Sequence, residues 1–258
     1  MKVEELKHIS EQLIDTFNQA GRESIELYSK GLKITIKEDK SPVSNGDLRV
    51  NELITNKIKE LTPNIPIVSE ETYKKESYIP KTPYWLVDPL DGTREFLNKS
   101  KDFTVNIALI ENTDSIFGII CAPASGKIWL GSKFNISSCE ETSTDSLRIV
   151  MSKSHKSDND KSFLNFLNEK GVNYEIIEKG SSLKLCAIAE NEADIYPRFG
   201  PTSEWDIAAA HSVLSAYGGC VLKVDDFSDL SYAKKESILN PYFICMRNNS
   251  IKDAFLPI

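Results

Sequence analysis

An apolar run, Tyr84-Trp85-Leu86-Val87, stops at Asp88-Pro89-Leu90-Asp91-Gly92-Thr93, and this junction constrains the chain more than any other stretch. Apolar residues that end in acids read as a buried strand carrying charge to its carboxyl end, where open α/β sheets place their ligands. Asp88 and Asp91 are hard oxygen donors of the type Mg²⁺ takes, and the Leu90 carbonyl between them can add a third. Gly92-Thr93 lets the chain turn sharply with its N–H groups outward before helical residues follow, which is the geometry of an anion cradle. A lone Asp-x-x-Asp-Gly is more often a solvated turn. The buried strand in front of it, and the need to neutralise two close acids, argue for a site here.

Covalent catalysis is not expected. Phospho-aspartate phosphatases of the haloacid dehalogenase type open with Asp-x-Asp-Gly-Thr, whereas the residue two before Asp91 is Pro89, so their nucleophile-plus-acid pair is missing. The chain has 258 residues, 40% of them hydrophobic, enough for one large domain or two halves sharing a core. Its 38 acidic and 31 basic residues give a net charge of −7, which argues against a nucleic-acid duplex as partner. An acidic protein still binds phosphates where a metal reverses the local charge. Cys121, Cys139, Cys186, Cys220 and Cys245 are scattered and contain no Cys-x-x-Cys pair, so neither a disulfide framework nor a zinc site is suggested. No apolar run of about 18 residues is present, so no transmembrane segment is expected, and the protein reads as soluble and cytoplasmic.

Helical spacing of Val3, Leu6, Ile9, Leu13, Ile14, Phe17 and Ala20 predicts a first helix, bending near Gly21 and running to Tyr28. An alternating strand follows over 32–37, a turn cluster over 41–47 and a second helix from about Asp47 to Leu61. Strands are predicted over 65–69, ending in Glu70-Glu71, and over 84–87, ending in Asp88. From Phe103 to Leu130 the pattern is an antiparallel meander. The Ser-, Thr- and acid-rich stretch 135–146 is the candidate boundary between a half over 1–145 and a half over 146–258. Beyond it strands and helices alternate, as in an α/β layered unit.

Acids thus stand at four element ends: Asp47, Glu70, the Asp88/Asp91 pair, and Asp206 in Glu204-Trp205-Asp206. Each has a bland reading, as a helix cap, a solvated turn or a first-turn acid. Together with the Gly-Thr cradle they supply what a multi-metal phosphatase draws from separate elements. The sequence resembles the lithium-sensitive, Mg²⁺-dependent phosphatase superfamily of inositol monophosphatase, fructose-1,6-bisphosphatase and the 3′(2′),5′-bisphosphate nucleotidases. The resemblance is carried by Asp88-Pro89-Leu90-Asp91-Gly92-Thr93, the upstream Glu70-Glu71 and the downstream Trp205-Asp206, and spans nearly the whole chain.

The resemblance implies an αβαβα sandwich and a set of roles. One Mg²⁺ is held by Glu70, Asp88 and the Leu90 carbonyl, a second by Asp88, Asp91 and Asp206, and a third, weaker ion lies near Glu70. Li⁺ is inhibitory. Asp47 and Thr93, with Glu70, orient and deprotonate a metal-activated water, and Gly92 and Thr93 present N–H groups to the phosphoryl oxygens. Asp206 also borders the substrate.

Three departures from the inositol phosphatase pattern bear on the substrate. Thr93-Arg94-Glu95-Phe96 resembles the nucleotidase form of the motif, and Gly180-Ser181-Ser182-Leu183-Lys184 places Ser182 and Lys184 beside the substrate. Arg198 stands where inositol phosphatases have a glutamate that reads sugar hydroxyls, which turns a polyol subsite into an anion subsite. The expected activity is hydrolysis of adenosine 3′,5′-bisphosphate to AMP and phosphate in sulfur assimilation, with the sulfated precursor of that nucleotide as a candidate second substrate. Lys184 and Arg198 are expected to hold the retained phosphate, and the 151–155 loop to lie near the adenine. An inositol-1-phosphate or other sugar-phosphate phosphatase is the alternative, and a non-catalytic nucleotide sensor is a weaker one. The resemblance is compatible with a monomer or a homodimer and with a peripheral position on the cytoplasmic face of the inner membrane.

Overall fold

The computed structural model describes residues 3–31, 33–36, 42–74, 80–132, 146–152, 157–248, 250, 251 and 253. Val3–Lys30 form one helix, α1, with Leu6, Ile9, Leu13, Phe17 and Ala20 buried along one stripe. The helix is uninterrupted at Gly21, where the sequence predicts a bend. Glycine serves there for close approach instead, since a Cβ would lie 3.3 Å from the Pro123 side chain. The antiparallel pair β1 (Ile34–Ile36) and β2 (Pro42–Ser44) leads into α2 (Asn45–Leu61). The expected turn cluster over 41–47 is therefore, from Pro42 on, a strand and the first turn of a helix. Ser44 is the N-cap and Asp47, three residues on, accepts its backbone N–H at 2.8 Å, closing a capping box.

The first sheet has the order β3 (Ile67–Ser69), β4 (Tyr84–Asp91), β5 (Thr104–Glu111), β6 (Asp114–Ala122), β7 (Lys127–Ser132). β3 is parallel to β4, and the rest is the antiparallel meander that the turn signals predict. β4 does not end before Asp88. It continues through both acids, Asp88 opposite Asn106 and Asp91 opposite Thr104, with a bulge between them. Pro89 explains the bulge, because it has no N–H for the ladder. A short helix, α3 (Thr93–Leu97), follows.

The second sheet has the order β11 (Cys220–Lys223), β12 (Phe243–Met246), β10 (Ile195–Arg198), β8 (Leu147–Met151), β9 (Tyr174–Glu178). The helices α4 (Asp158–Glu169), α5 (Leu183–Ala189) and α6 (Glu204–Ala216) complete the chain's main elements. Most of the candidate boundary over 135–146 lies outside the described residues.

Side chains alternate across each strand, so each sheet has two faces to cover. Trp85, Val87, Val105, Ile107 and Ile119 pack with α1 and α2. On the opposite face Leu86, Ala108 and Ile120 share a core with α5, α6 and residues of the second sheet such as Tyr196 and Phe243. Ile149, Ile195, Ile244 and Met246 turn away from that core toward α4. The layers are α, β, α, β, α, as predicted.

α6 seals the central layer. A Cβ on Gly118 would lie 2.2 Å from Ala209 O, and one on Gly131 2.3 Å from Val213 Cα, so the helix backbone rests directly on β6 and β7. Ser115 Oγ donates to Ala208 O and Ser212 Oγ to Ser115 O, both at 2.7 Å, pinning helix to strand. At the far end of the second sheet, buried Asp194 accepts from Arg148 Nη2 at 2.8 Å and Arg247 Nε at 3.0 Å. Removing one partner of such a buried network costs about 3–5 kcal/mol. Among the described residues no helix is long and apolar enough to cross a membrane. Cys121, Cys186, Cys220 and Cys245 are free thiols, and Cys139 lies outside the described residues.

Candidate active site

The bulged end of β4 delivers the acids and α3 starts at the cradle. Gly92 is left-handed, at φ +89°, and a Cβ on it would sit 3.0 Å from Asp102 O, so glycine is required there. No side chain caps α3, which leaves its leading N–H groups available to an anion. Thr93 Oγ1 lies 3.1 Å from Asp47 Oδ1 and 3.2 Å from Leu90 O, within donating distance of both. Asp47 is itself held from the other side by Ser44, whose N–H and hydroxyl both donate to Oδ2. The predicted Asp47–Thr93 pair is therefore formed, and the capping box of α2 is what aims it.

Asp88 is 1% exposed. Burial, and then the charges of Glu70, Asp91 and Asp206, hold its carboxyl well above the usual range. Asp206 is raised for the same reasons, burial first and then Asp91 and Glu70, against a lowering by the Ser203 N–H. Four carboxylates, from the residue after β3, from β4 and from α6, thus feel one another around buried Asp88, and a cation relieves that repulsion. Together with the Leu90 carbonyl they form the hard-oxygen donor set that suits Mg²⁺ or a similar ion. As they stand, Asp206 Oδ2 accepts from Ser203 N at 2.9 Å and Asp91 is turned to a serine turn, so both would exchange protein donors for an ion. Among the described residues no three His, Cys, Asp or Glu side chains are already arranged to hold a metal.

That serine turn ties the end of β4 to the segment that leads into α5. Asp91 Oδ2 accepts from Ser181 Oγ at 2.7 Å, Ser182 N at 2.7 Å and Ser182 Oγ at 3.0 Å. Thr104 Oγ1 lies 2.6 Å from Ser181 Oγ, and Asn106 Nδ2 donates to Ser182 Oγ at 3.0 Å. The same turn accepts Lys184 Nζ at Ser181 O, 2.7 Å away, while the ammonium lies 5.3 Å from the centre of the Tyr196 ring.

A cavity of about 140 Å³ opens above this layer, walled by Asp91, Gly92, Ser182, Lys184, Arg198 and Asp206 among others. It gathers all the predicted substrate residues except Thr93, which lies with Asp47, Asp88, Leu90 and Glu70 outside its walls. Ser181, Thr104 and Asn106 are additions that the sequence reading missed. Asn106 carried a usable signal, an amide in the middle of the apolar strand Val105-Asn106-Ile107. Of the loop expected near the adenine, Met151 and Ser152 line an adjoining cavity and 153–156 lie outside the described residues. His211 packs against Tyr232 and does not line this cavity. Its Nδ1 lies 2.9 Å from Tyr232 Oη, and burial lowers the imidazole to about 4.

A sequence model of the inositol monophosphatase family matches residues 4–254. The chain belongs to the inositol monophosphatase family. Within this family it is 37% identical over 248 residues, 90% of this chain and 97% of the other, to the 3′(2′),5′-bisphosphate nucleotidase CysQ of Salmonella typhimurium. CysQ of Escherichia coli K12 is 36% identical over the same shares. The crystal structure of CysQ from Bacteroides thetaiotaomicron matches with a TM-score of 0.76 at 31% identity, covering 92% of this chain and 97% of that one. A Thermotoga maritima IMPase, at 22% identity and a TM-score of 0.73, shares the fold.

Proposed function

We propose that this chain is a divalent-metal-dependent 3′(2′),5′-bisphosphate nucleotidase that hydrolyses adenosine 3′,5′-bisphosphate to AMP and phosphate. The observation that carries the substrate assignment is the meeting of Lys184 and Arg198 with Asp91, Gly92 and Asp206 around one cavity. A phosphoryl group placed against the acids leaves a second anionic group within reach of two cations, and the CysQ relatives are named for such a substrate. Glu70, Asp88, Asp91, Asp206 and the Leu90 carbonyl are the groups that would hold the ions. When bound, divalent ions neutralise the phosphoryl oxygens and acidify water.

The chain's own residues do the rest. Thr93 Oγ1, donating to Asp47 Oδ1, keeps its lone pairs free to accept from the attacking water, and Asp47 is the acceptor for the proton passed through that hydroxyl. The uncapped N–H groups of α3 receive the phosphoryl oxygens. Lys184, buried and lowered to about 8 chiefly by that burial, remains mostly charged at neutral pH for the retained phosphate.

A substrate panel tests this reading: adenosine 3′,5′-bisphosphate, its sulfated precursor and inositol 1-phosphate, each with Mg²⁺, with Mg²⁺ plus Li⁺, and with chelator. Preferential release from the bisphosphate, lost with chelator and suppressed by Li⁺, is the expected result. Preference for the inositol ester, or turnover without divalent metal, overturns it.

A further inference from the structure

We infer that Arg94 determines specificity: with Arg198 it clamps the anionic group that the substrate keeps after hydrolysis. The inference rests on the nucleotidase reading and deepens it. Beside the catalytic cavity lies a second of about 560 Å³, and Ser152, Tyr196 and Arg198 are walls of both. Arg94 lines only the second. It follows Thr93 directly in α3, so the residue next to the phosphoryl cradle puts a guanidinium on the route away from it.

Neither guanidinium is held in an ion pair among the described residues. Arg94 is exposed and, among the described residues, its side chain has no ion pair or hydrogen-bond acceptor. Arg198 donates from Nη2 to Pro201 O at 3.1 Å, while its Nε is buried without a partner. The Nε is closed to solvent, so the terminal amino groups of Arg198, which lines the cavity, are the donors that a ligand's acceptor can meet. The acid in the second cavity, Asp160, does not compete for them: its Oδ2 accepts from Ser157 N and Ser157 Oγ, both at 2.7 Å. Two planar forks in one cavity suit a tetrahedral oxyanion, which each can grip through two parallel N–H groups. A monophosphate held at the acids leaves both forks without an acceptor, so discrimination follows from what the smaller substrate fails to satisfy.

The test uses the full chain with Mg²⁺ and compares Arg94→Met, which keeps the apolar stem, with Arg94→Lys. Arg94→Met should raise KM for adenosine 3′,5′-bisphosphate about tenfold, as expected for loss of one charge-assisted contact, with kcat within about twofold. KM for adenosine 3′-monophosphate should not change, and Arg94→Lys should recover only part of the loss. Equal shifts for both substrates, or none, overturn the inference. Calorimetric binding of AMP and of adenosine separates this from the functional reading. If wild type fails to turn over the bisphosphate yet AMP binding still depends on Arg94, the nucleotidase reading falls and the clamp stands. Equal AMP affinity in wild type and Arg94→Met overturns the clamp.

Discussion

Lys184 makes substrate capture sensitive to pH in a definite direction. Burial lowers its ammonium to about 8, with Asp91 opposing and Arg198 adding to the lowering. The group is protonated below that value and neutral above it, so its grip on a phosphate weakens as pH rises through it. We expect kcat/KM for the bisphosphate to fall above about pH 8, and Lys184→Met to flatten that limb at a lower level. An identical alkaline limb in both proteins would remove Lys184 from substrate binding. Asp47 has two duties that mutation can separate. Asp47→Asn should lower kcat by about a hundredfold or more, through loss of the proton acceptor behind Thr93, while stability falls by only about 1 kcal/mol. Ser44→Ala should reproduce the stability loss and most of kcat should survive. Steady-state kinetics beside urea unfolding of both variants decides this.

At the scale of elements, α6 and the strands it touches are the least forgiving. Gly131→Ala forces a methyl against the Val213 backbone, where only a shift of the helix can make room, and overpacking of this type costs about 1–3 kcal/mol or more. The displaced helix carries Asp206, so the half-saturating Mg²⁺ concentration should rise along with the loss of stability. A variant destabilised without change in metal response would show that Asp206 tolerates the shift. None of this was legible beforehand: an isolated glycine in a strand signals a close approach without saying of what. The elements themselves were legible: α2 from its 3.6 period, the β5 to β7 meander from apolar runs set between turn residues, and α6 from an apolar run that follows first-turn acids. The course of β4 through Asp88 and Asp91 was not. Acids and a proline interrupt the apolar pattern, and the pairing that keeps the strand going is made by Asn106 and Thr104, on another strand. The candidate ligands could be named because acids at four element ends occur together with the Gly92-Thr93 cradle and in the order of the family's motifs, although each alone is an ordinary cap or turn acid. Their present partners, the serine turn above all, depend on a meeting of distant segments that no local pattern encodes.

For the whole molecule, the ion would sit where two sheets share a central helical layer, with Glu70, Asp88 and Asp91 on one side and Asp206 on the other. Binding to the folded state alone stabilises by mass action, roughly 2.7 kcal/mol at a hundredfold excess over Kd. In a protein of this size that corresponds to a rise in melting temperature of about 5–10 °C. We expect Mg²⁺ to produce such a rise, chelator to reverse it and Asp206→Asn to abolish it. A melting temperature indifferent to metal in the wild type would show that these acids do not form one site. The seating of α6 on Gly118 and Gly131 has a further consequence for the protein's birth. The ribosome releases the first sheet with its acids long before it completes α6, and until then those glycines lie open and Asp206 is missing from the acids. A chain that ends before α6 lacks Asp206 and the backbone that covers Gly118 and Gly131, and β12, which pairs with both β10 and β11, comes later still, so the site is expected to close only when synthesis has passed β12.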